Sequence, residues 1–191
     1  MRVLVLVLVC AACATSSART PGAPSSATEP ASLLSDASGP AAIAVLEPRS
    51  GSTVSGTAQF TAAPGGVKAH VEISGATPGP HGVHIHEKGD CSDPKAASAG
   101  GHYNPNTGPH HGGPHTSARH GGDLGNLEVD ASGKGTLEVV VEGLSVASLQ
   151  DGVVGRAIVV HEKADDLATD PAGNSGARVA CGRIQAPPIG H

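Results

Sequence analysis

A chain of 191 residues has room for one domain with appended segments. Its net charge of −5 gives no reason to expect a nucleic-acid partner. With one Phe, one Tyr and no Trp, any core must be built from Val, Ile, Leu and Ala. The 27 glycines and 15 prolines would suggest disorder if spread evenly. Instead, Pro and Ser crowd the first forty or so residues, and later glycines punctuate short apolar runs.

The N-terminus reads as a targeting segment. Arg2 supplies a positive start, and the apolar run Val3–Val9 is too short to span a bilayer. It leads into CAACATSS, which resembles a bacterial lipoprotein signal with Ala11 and Ala12 before a lipidatable Cys13. Cys10 occupies a position where Leu is usual and is the alternative acceptor; ordinary cleavage without lipid is another. Each alternative puts the mature chain outside the cytoplasm. Ala14 lacks the acidic character that retains such proteins at an inner membrane. The expected location is therefore the periplasmic side of the envelope, lipid-anchored to the outer membrane, with no other membrane contact. Residues 14–40 are Ala-, Ser- and Pro-rich without periodicity and read as a flexible tether. The expected organisation is signal 1–13, tether 14–40, folded domain 41–186 and tail 187–191.

From Ala41 onward, short β-rich runs alternate with turn signals. Strands are expected over 41–47, 53–62, 68–74, 81–86, 126–130, 135–142, 156–161 and 178–185. Eight strands at this spacing predict an antiparallel sandwich or barrel with almost no helix. Two connections, Glu87 to Gly125 and Glu162 to Ala177, are too long for hairpins. Such loops in compact β domains are usually functional or disordered. The first carries His102, His110, His111, His115, His120 and Asp123, which favours function. With Cys10 and Cys13 in the signal, Cys91 and Cys181 are left as a pair, and an exported chain should oxidise them to a disulfide. Closing a loop of about ninety residues stabilises by roughly 4–5 kcal/mol in the chain-entropy picture.

The stretch HGVHIHEKGDC, 81–91, places His84 and His86 on one face of a strand, with Ile85 on the other. Two such imidazoles can converge on a metal ion. This stretch and GGHYNP, HGGPHTSARHGGDLGN, GRAIVVHEKADDL and GNSGARVACGRI together resemble the copper/zinc superoxide dismutase family over about 41–185. The resemblance implies an all-β, eight-stranded antiparallel Greek-key barrel or sandwich with two long functional loops. It implies copper on His84, His86, His102 and His161, and zinc on His102, His111, His120 and Asp123, with His102 shared between the ions. Four imidazoles suit copper, and three imidazoles with a carboxylate suit zinc.

By the same resemblance, Asp165 hydrogen-bonds one copper ligand and one zinc ligand. Arg178 draws in and orients the superoxide anion. His102 delivers a proton, and copper cycles between two oxidation states as two superoxides become O2 and H2O2. His111 is preferred to His110 because the family's ligand directly precedes Gly-Gly-Pro. His115 is expected exposed and His81 structural, while His70 and His191 match no ligand position. The connection after Asp165 holds no lysine, so Lys88, Lys95 and Lys163 are left as candidates for steering substrate. Val83 replaces a common Phe. A homodimer is expected, through a surface the sequence does not identify. The competing reading is a non-catalytic copper- and zinc-binding lipoprotein on the same scaffold. A copper-only dismutase is disfavoured by the complete zinc set.

Overall fold

The computed structural model describes residues 42–187. The expected signal with Cys13, the tether, and the tail beyond its first residue lie outside the described residues. Eight strands follow in order: β1 Ala42–Pro48, β2 Ser55–Ala63, β3 Gly66–Ser74, β4 Gly79–His86, β5 Asp123–Val129, β6 Lys134–Glu142, β7 Ala157–His161 and β8 Arg178–Arg183. One turn of 3-10 helix, Ala97–Ala99, is the sole helical element among the described residues. The strands close into an antiparallel barrel in the order β1-β2-β3-β6-β5-β4-β7-β8, with β8 returning to β1 at Glu47 opposite Cys181. The β3–β4 and β6–β7 connections cross over intervening strands, which is the Greek-key arrangement.

Alternation builds the interior. In β1, Ala42, Ala44 and Leu46 are buried while Val45 and Glu47 face out; β3 buries Val67, Ala69, Val71 and Ile73 in the same rhythm. Phe60 and Tyr103 are the aromatics of this core, joined by Leu46, Ile85, Leu124, Leu127, Ile158 and Ile184. Each such aliphatic contributes about 1.5–3 kcal/mol when fully buried, so many small side chains do the work of a few rings.

Strand β4 breaks the alternation, because every residue from His81 to His86 is buried. Val83 and Ile85 belong to the core. His84 and His86 therefore stand on the opposite, outer face, where the two long connections cover them.

Two irregularities set the register around these rings. Between Gly82 and His84, β5 carries an extra residue, and Gly125 adopts φ +84° there. The sequence places the start of this strand at Asn126, because Gly reads as a break. In the structure it is a bulge, and the strand continues back to Asp123, directly opposite His84. A second shift in β8 sets His161 opposite Arg178. The expected end of β8 at Gln185 is also corrected: the strand stops at Arg183, and Gln185 makes only an isolated bridge to Ile43. Cys91 and Cys181 are disulfide-bonded with Cα atoms 5.8 Å apart, tying the β4–β5 connection to β8.

Candidate metal centre

Three rings come from strands. His84 and His86 on β4 and His161 at the end of β7 meet His102 from the β4–β5 connection, with one ligand atom of each lying within 4.8 Å of the others. The rings are oriented from behind. His86 Nδ1 donates to Gly100 O at 3.0 Å and His161 Nδ1 to Gly176 O at 3.2 Å. His84 Nε2 donates to Asp165 Oδ2 at 2.8 Å. A carbonyl can only accept, so Nδ1 of His86 and of His161 must carry the hydrogen, leaving Nε2 with a free lone pair.

The second group comes from the loop. Asp123 Oδ1 lies 2.7 Å from His102 Nδ1 and 3.1 Å from His111 Nδ1, and its Oδ2 lies 3.4 Å from His120 Nδ1. Ligands around a tetrahedral zinc with bonds of about 2.0–2.1 Å stand roughly 3.3 Å apart, so these separations suit one small ion. His84, His102, His111 and Asp123 each bring one ligand atom within 4.8 Å of the others, a grouping that does not include His120. His84 reaches this grouping through its position between the two halves, although its Nε2 is occupied by Asp165. Asp165 also accepts from His111 Nε2 at 2.7 Å, so one carboxylate holds a ring in each half.

Whether metals fit can be tested on atoms without partners. Among the described residues, His84 Nδ1, His86 Nε2, His102 Nε2, His161 Nε2, His111 Nδ1 and His120 Nδ1 are buried with no hydrogen-bond partner. Leaving a buried polar atom unsatisfied costs about 1–3 kcal/mol, so six in one small volume call for ions. The first four face the all-imidazole group, and the other two face Asp123. The donor chemistry thus fits a copper beside a zinc.

Protonation follows the same division. Burial, against the pull of Asp165, lowers His84 to about 4; burial and the neighbouring His84 lower His161 to about 3. His86 and His102 are also lowered by burial. For His111, burial is outweighed by contacts with Asp123 and Asp165, which raise it to about 9. Burial opposes ionisation of both carboxylates, yet their histidine partners hold Asp123 and Asp165 well below the usual carboxylate range.

Arg178 lies beside this group. Its guanidinium donates to Ala96 O and Gly100 O, each at 2.7 Å, so Gly100 O serves both Arg178 and the His86 ring. A hollow of about 350 Å³ is lined by Ser50, Lys95, Ala97, Gly176, Ala177 and Arg178. Lys95 is the lysine in that lining; Lys88 is exposed and not part of it, and the exposed Lys163 packs its stem against Gly176 at its edge.

The remaining histidines separate clearly. His110 is exposed and turns to Asp170 at 2.8 Å, away from the buried cluster. His115 is exposed, and His70 faces Glu72 and Glu138 on the outside of β3. His81 is buried, with ring nitrogens on His161 O at 2.7 Å and Thr77 O at 2.8 Å, a structural role.

Sequence reasoning missed three residues. Arg119 is buried and donates to Pro114 O, His120 O and Gly121 O, folding the loop around its own guanidinium. Its proximity to His120 in sequence was the available signal. Gly173, at φ +61°, packs so closely that a Cβ would meet Asp165 Oδ1 and His111 Nε2. Asp170 accepts from the main chain of His111. Nothing local marks these last two as neighbours of His111, which lies about sixty residues away in the chain.

A closed antiparallel barrel carrying two adjoining buried ligand groups, one of imidazoles and one completed by a carboxylate, defines a metalloprotein able to seat two unlike ions. Comparison with known proteins is specific. Residues 54–184 match the sequence model of copper/zinc superoxide dismutase. Superoxide dismutase [Cu-Zn] of Deinococcus radiodurans is 43% identical over 143 residues, covering 70% of this chain and 78% of that protein. Extracellular superoxide dismutase [Cu-Zn] of Caenorhabditis elegans is 46% identical over 135 residues, covering 68% of this chain and 60% of that one. The extracellular enzyme of Haemonchus contortus is 45% identical over 124 residues, covering 62% and 66%. A crystal structure of the clock protein EA4 superposes with a TM-score of 0.68 at 40% identity, covering 78% of this chain and 96% of that one.

The chain belongs to the copper/zinc superoxide dismutase family. Its reaction is the dismutation of superoxide, and its cofactors are one copper and one zinc.

Proposed function

We propose that dismutation by this chain uses a copper held by His84 Nδ1, His86 Nε2, His102 Nε2 and His161 Nε2. A zinc would be held by His102 Nδ1, His111 Nδ1, His120 Nδ1 and Asp123. The six partnerless buried ring nitrogens carry this assignment. When bound, copper supplies one-electron chemistry and zinc a fixed positive charge. Arg178, clamped by two carbonyls, keeps further N–H groups with which to attract and orient the anion. Lys95, in the same hollow, adds to the attraction. When its Nε2 is not a ligand, His102 can hold a proton there and pass it to the oxygen being reduced, while Nδ1 stays on the Asp123 side. Asp165 keeps His84 and His111 in the tautomers that leave both Nδ1 atoms free.

Metal analysis of the fully loaded protein together with a superoxide-consumption assay tests this. Stoichiometric copper without zinc would remove the two-metal assignment, and bound metals without turnover would favour the non-catalytic reading.

We also propose that the enzyme works outside the cytoplasm, tethered by lipid on Cys13 at the periplasmic face of a Gram-negative outer membrane. The apolar run Val3–Val9, the Cys91–Cys181 disulfide and the relatives named extracellular support export. Among the described residues, no helix is long and apolar enough to cross a membrane. Several acyl chains on one cysteine anchor stably, whereas a single chain binds marginally. Mass spectrometry of the mature N-terminus decides: an unmodified N-terminus downstream of Cys13 leaves only ordinary secretion. Homodimer formation belongs to the same proposal and is read by sedimentation.

A further inference from the structure

His111 is held from three directions, the third of them through its main chain and from the β7–β8 connection. Its ring faces Asp123 on one side and Asp165 on the other. Its main-chain N–H donates to Asp170 Oδ1 at 2.6 Å, and the other oxygen of that carboxylate faces His110 Nδ1 at 2.8 Å. A charged acceptor makes the first bond short and strong.

Asp170 does not hang from a loose loop. Asp166 Oδ1 accepts from Ala168 N and Thr169 N, and its Oδ2 from the Thr169 hydroxyl and Asn174 Nδ2. Gly173 N donates to Thr169 O at 2.7 Å, closing the turn that presents Asp170. The β7–β8 connection thus grips His111 twice, by its ring through Asp165 and by its backbone through Asp170.

We propose that Asp170, backed by His110, is a latch that positions His111 for zinc from outside the metal centre. Asp170 is a positioning residue: it touches neither ion nor substrate and acts through the backbone of a ligand. The proposal rests on the reading of His111 as a zinc ligand. It also gives His110 a role: the ring next to the ligand holds the latch.

Zinc titration of metal-free full-length protein tests this, with Co(II) absorption as a report on geometry at the same site. Replacing an outer partner of a ligand typically weakens metal binding 10–100-fold. Asp170→Ala should lose about tenfold in zinc affinity and alter the Co(II) bands, while copper uptake stays that of wild type and shows the barrel intact. Asp170→Asn keeps an oxygen acceptor for the His111 N–H and should recover affinity to within about threefold, with wild-type bands. His110→Ala, which removes an exposed partner, should cost about threefold or less. Wild-type affinity and bands in Asp170→Ala overturn the latch alone, as does an Asn variant as weak as the Ala one. A wild-type chain that takes up no zinc overturns the latch together with the zinc reading.

Discussion

The strand-borne and loop-borne halves of the metal centre share His102 and meet at Asp165, yet they are ordered by different means. His84, His86 and His161 stand on β4 and β7, neighbouring strands whose register sets His84 opposite Val159. The barrel fixes their positions, so neutral carbonyls of Gly100 and Gly176 suffice to orient two of the rings. His102 has only an isolated bridge to His86, and His111 and His120 have no such ladder. Their loop is gathered by carboxylates: Asp123 accepts from the main chain of Gly112 and His120 as well as facing the rings, and Asp165 and Asp170 reach in from the other connection. For His86 and His161, which backbone pairing places, hydrogen-bond polarity is enough to choose the tautomer. Where a loop must be placed as well, charge is used, and order becomes coupled to protons and metal.

If the strand half is the reactive side and the loop half the structural one, the largest effect on turnover should come from a residue that binds no metal. Arg178→Ala should lower kcat/KM on the order of 100-fold while both metals stay bound, and raised salt should slow the wild type more than the variant. Undiminished activity at low salt would break that side of the comparison. Asp165→Ala should affect both halves at once. Zinc affinity should fall about 10–100-fold, and the copper spectrum should shift because His84 loses its orienting partner. A spectrum unchanged by this substitution would mean that the strand half does not need the shared carboxylate.

Gly173→Ala sharpens the contrast. The new methyl group would collide with Asp165 Oδ1 at 1.8 Å and approach His111 Nε2 at 2.7 Å, at a φ of +61° that L residues rarely adopt. Zinc affinity should fall about tenfold, in the range typical for a disturbed outer partner, with copper retained. Equal loss of both metals would show that the two halves are ordered as one.

The same contrast governs what the sequence could disclose. Strands such as β1 and β3 are legible because alternation in the runs AIAVLE and VKAHVEI needs only neighbours, and the shared face of His84 and His86 follows from the period of one strand. The loop ligands became legible only through motif resemblance, because no periodicity orders His102, His111 and His120. Asp123 reads in the sequence as a candidate ligand but not as a strand residue, since the bulge at Gly125 imitates a turn. Asp170, Gly173 and the carbonyl contacts of Arg119 stayed hidden: each works through an approach of two surfaces that only the folded loops create.

The smallest effect tests the coupling of the loop half to protons, in the metal-free chain. Folding raises His111 from 6.5 to about 9, because Asp123 and Asp165 favour the imidazolium more than burial disfavours it. A raised folded value contributes stability that is complete below about 6.5 and lost as pH rises through about 9. His84 and His161 have the opposite sign. Lowered to about 4 and about 3, they contribute stability that is complete above about 6.5 and lost as pH falls through those values. Between pH 6.5 and 9 the strand-borne rings are therefore silent, and the loop half alone responds. The melting temperature of metal-free protein should fall by a few degrees across this window. The fall should be absent in His111→Gln, and also when zinc replaces the proton on Nδ1. Calorimetry at matched ionic strength reads all three. A melting temperature that holds steady in the metal-free wild type, or falls equally in the Gln variant, would mean that the carboxylates around His111 orient the ring without holding its proton.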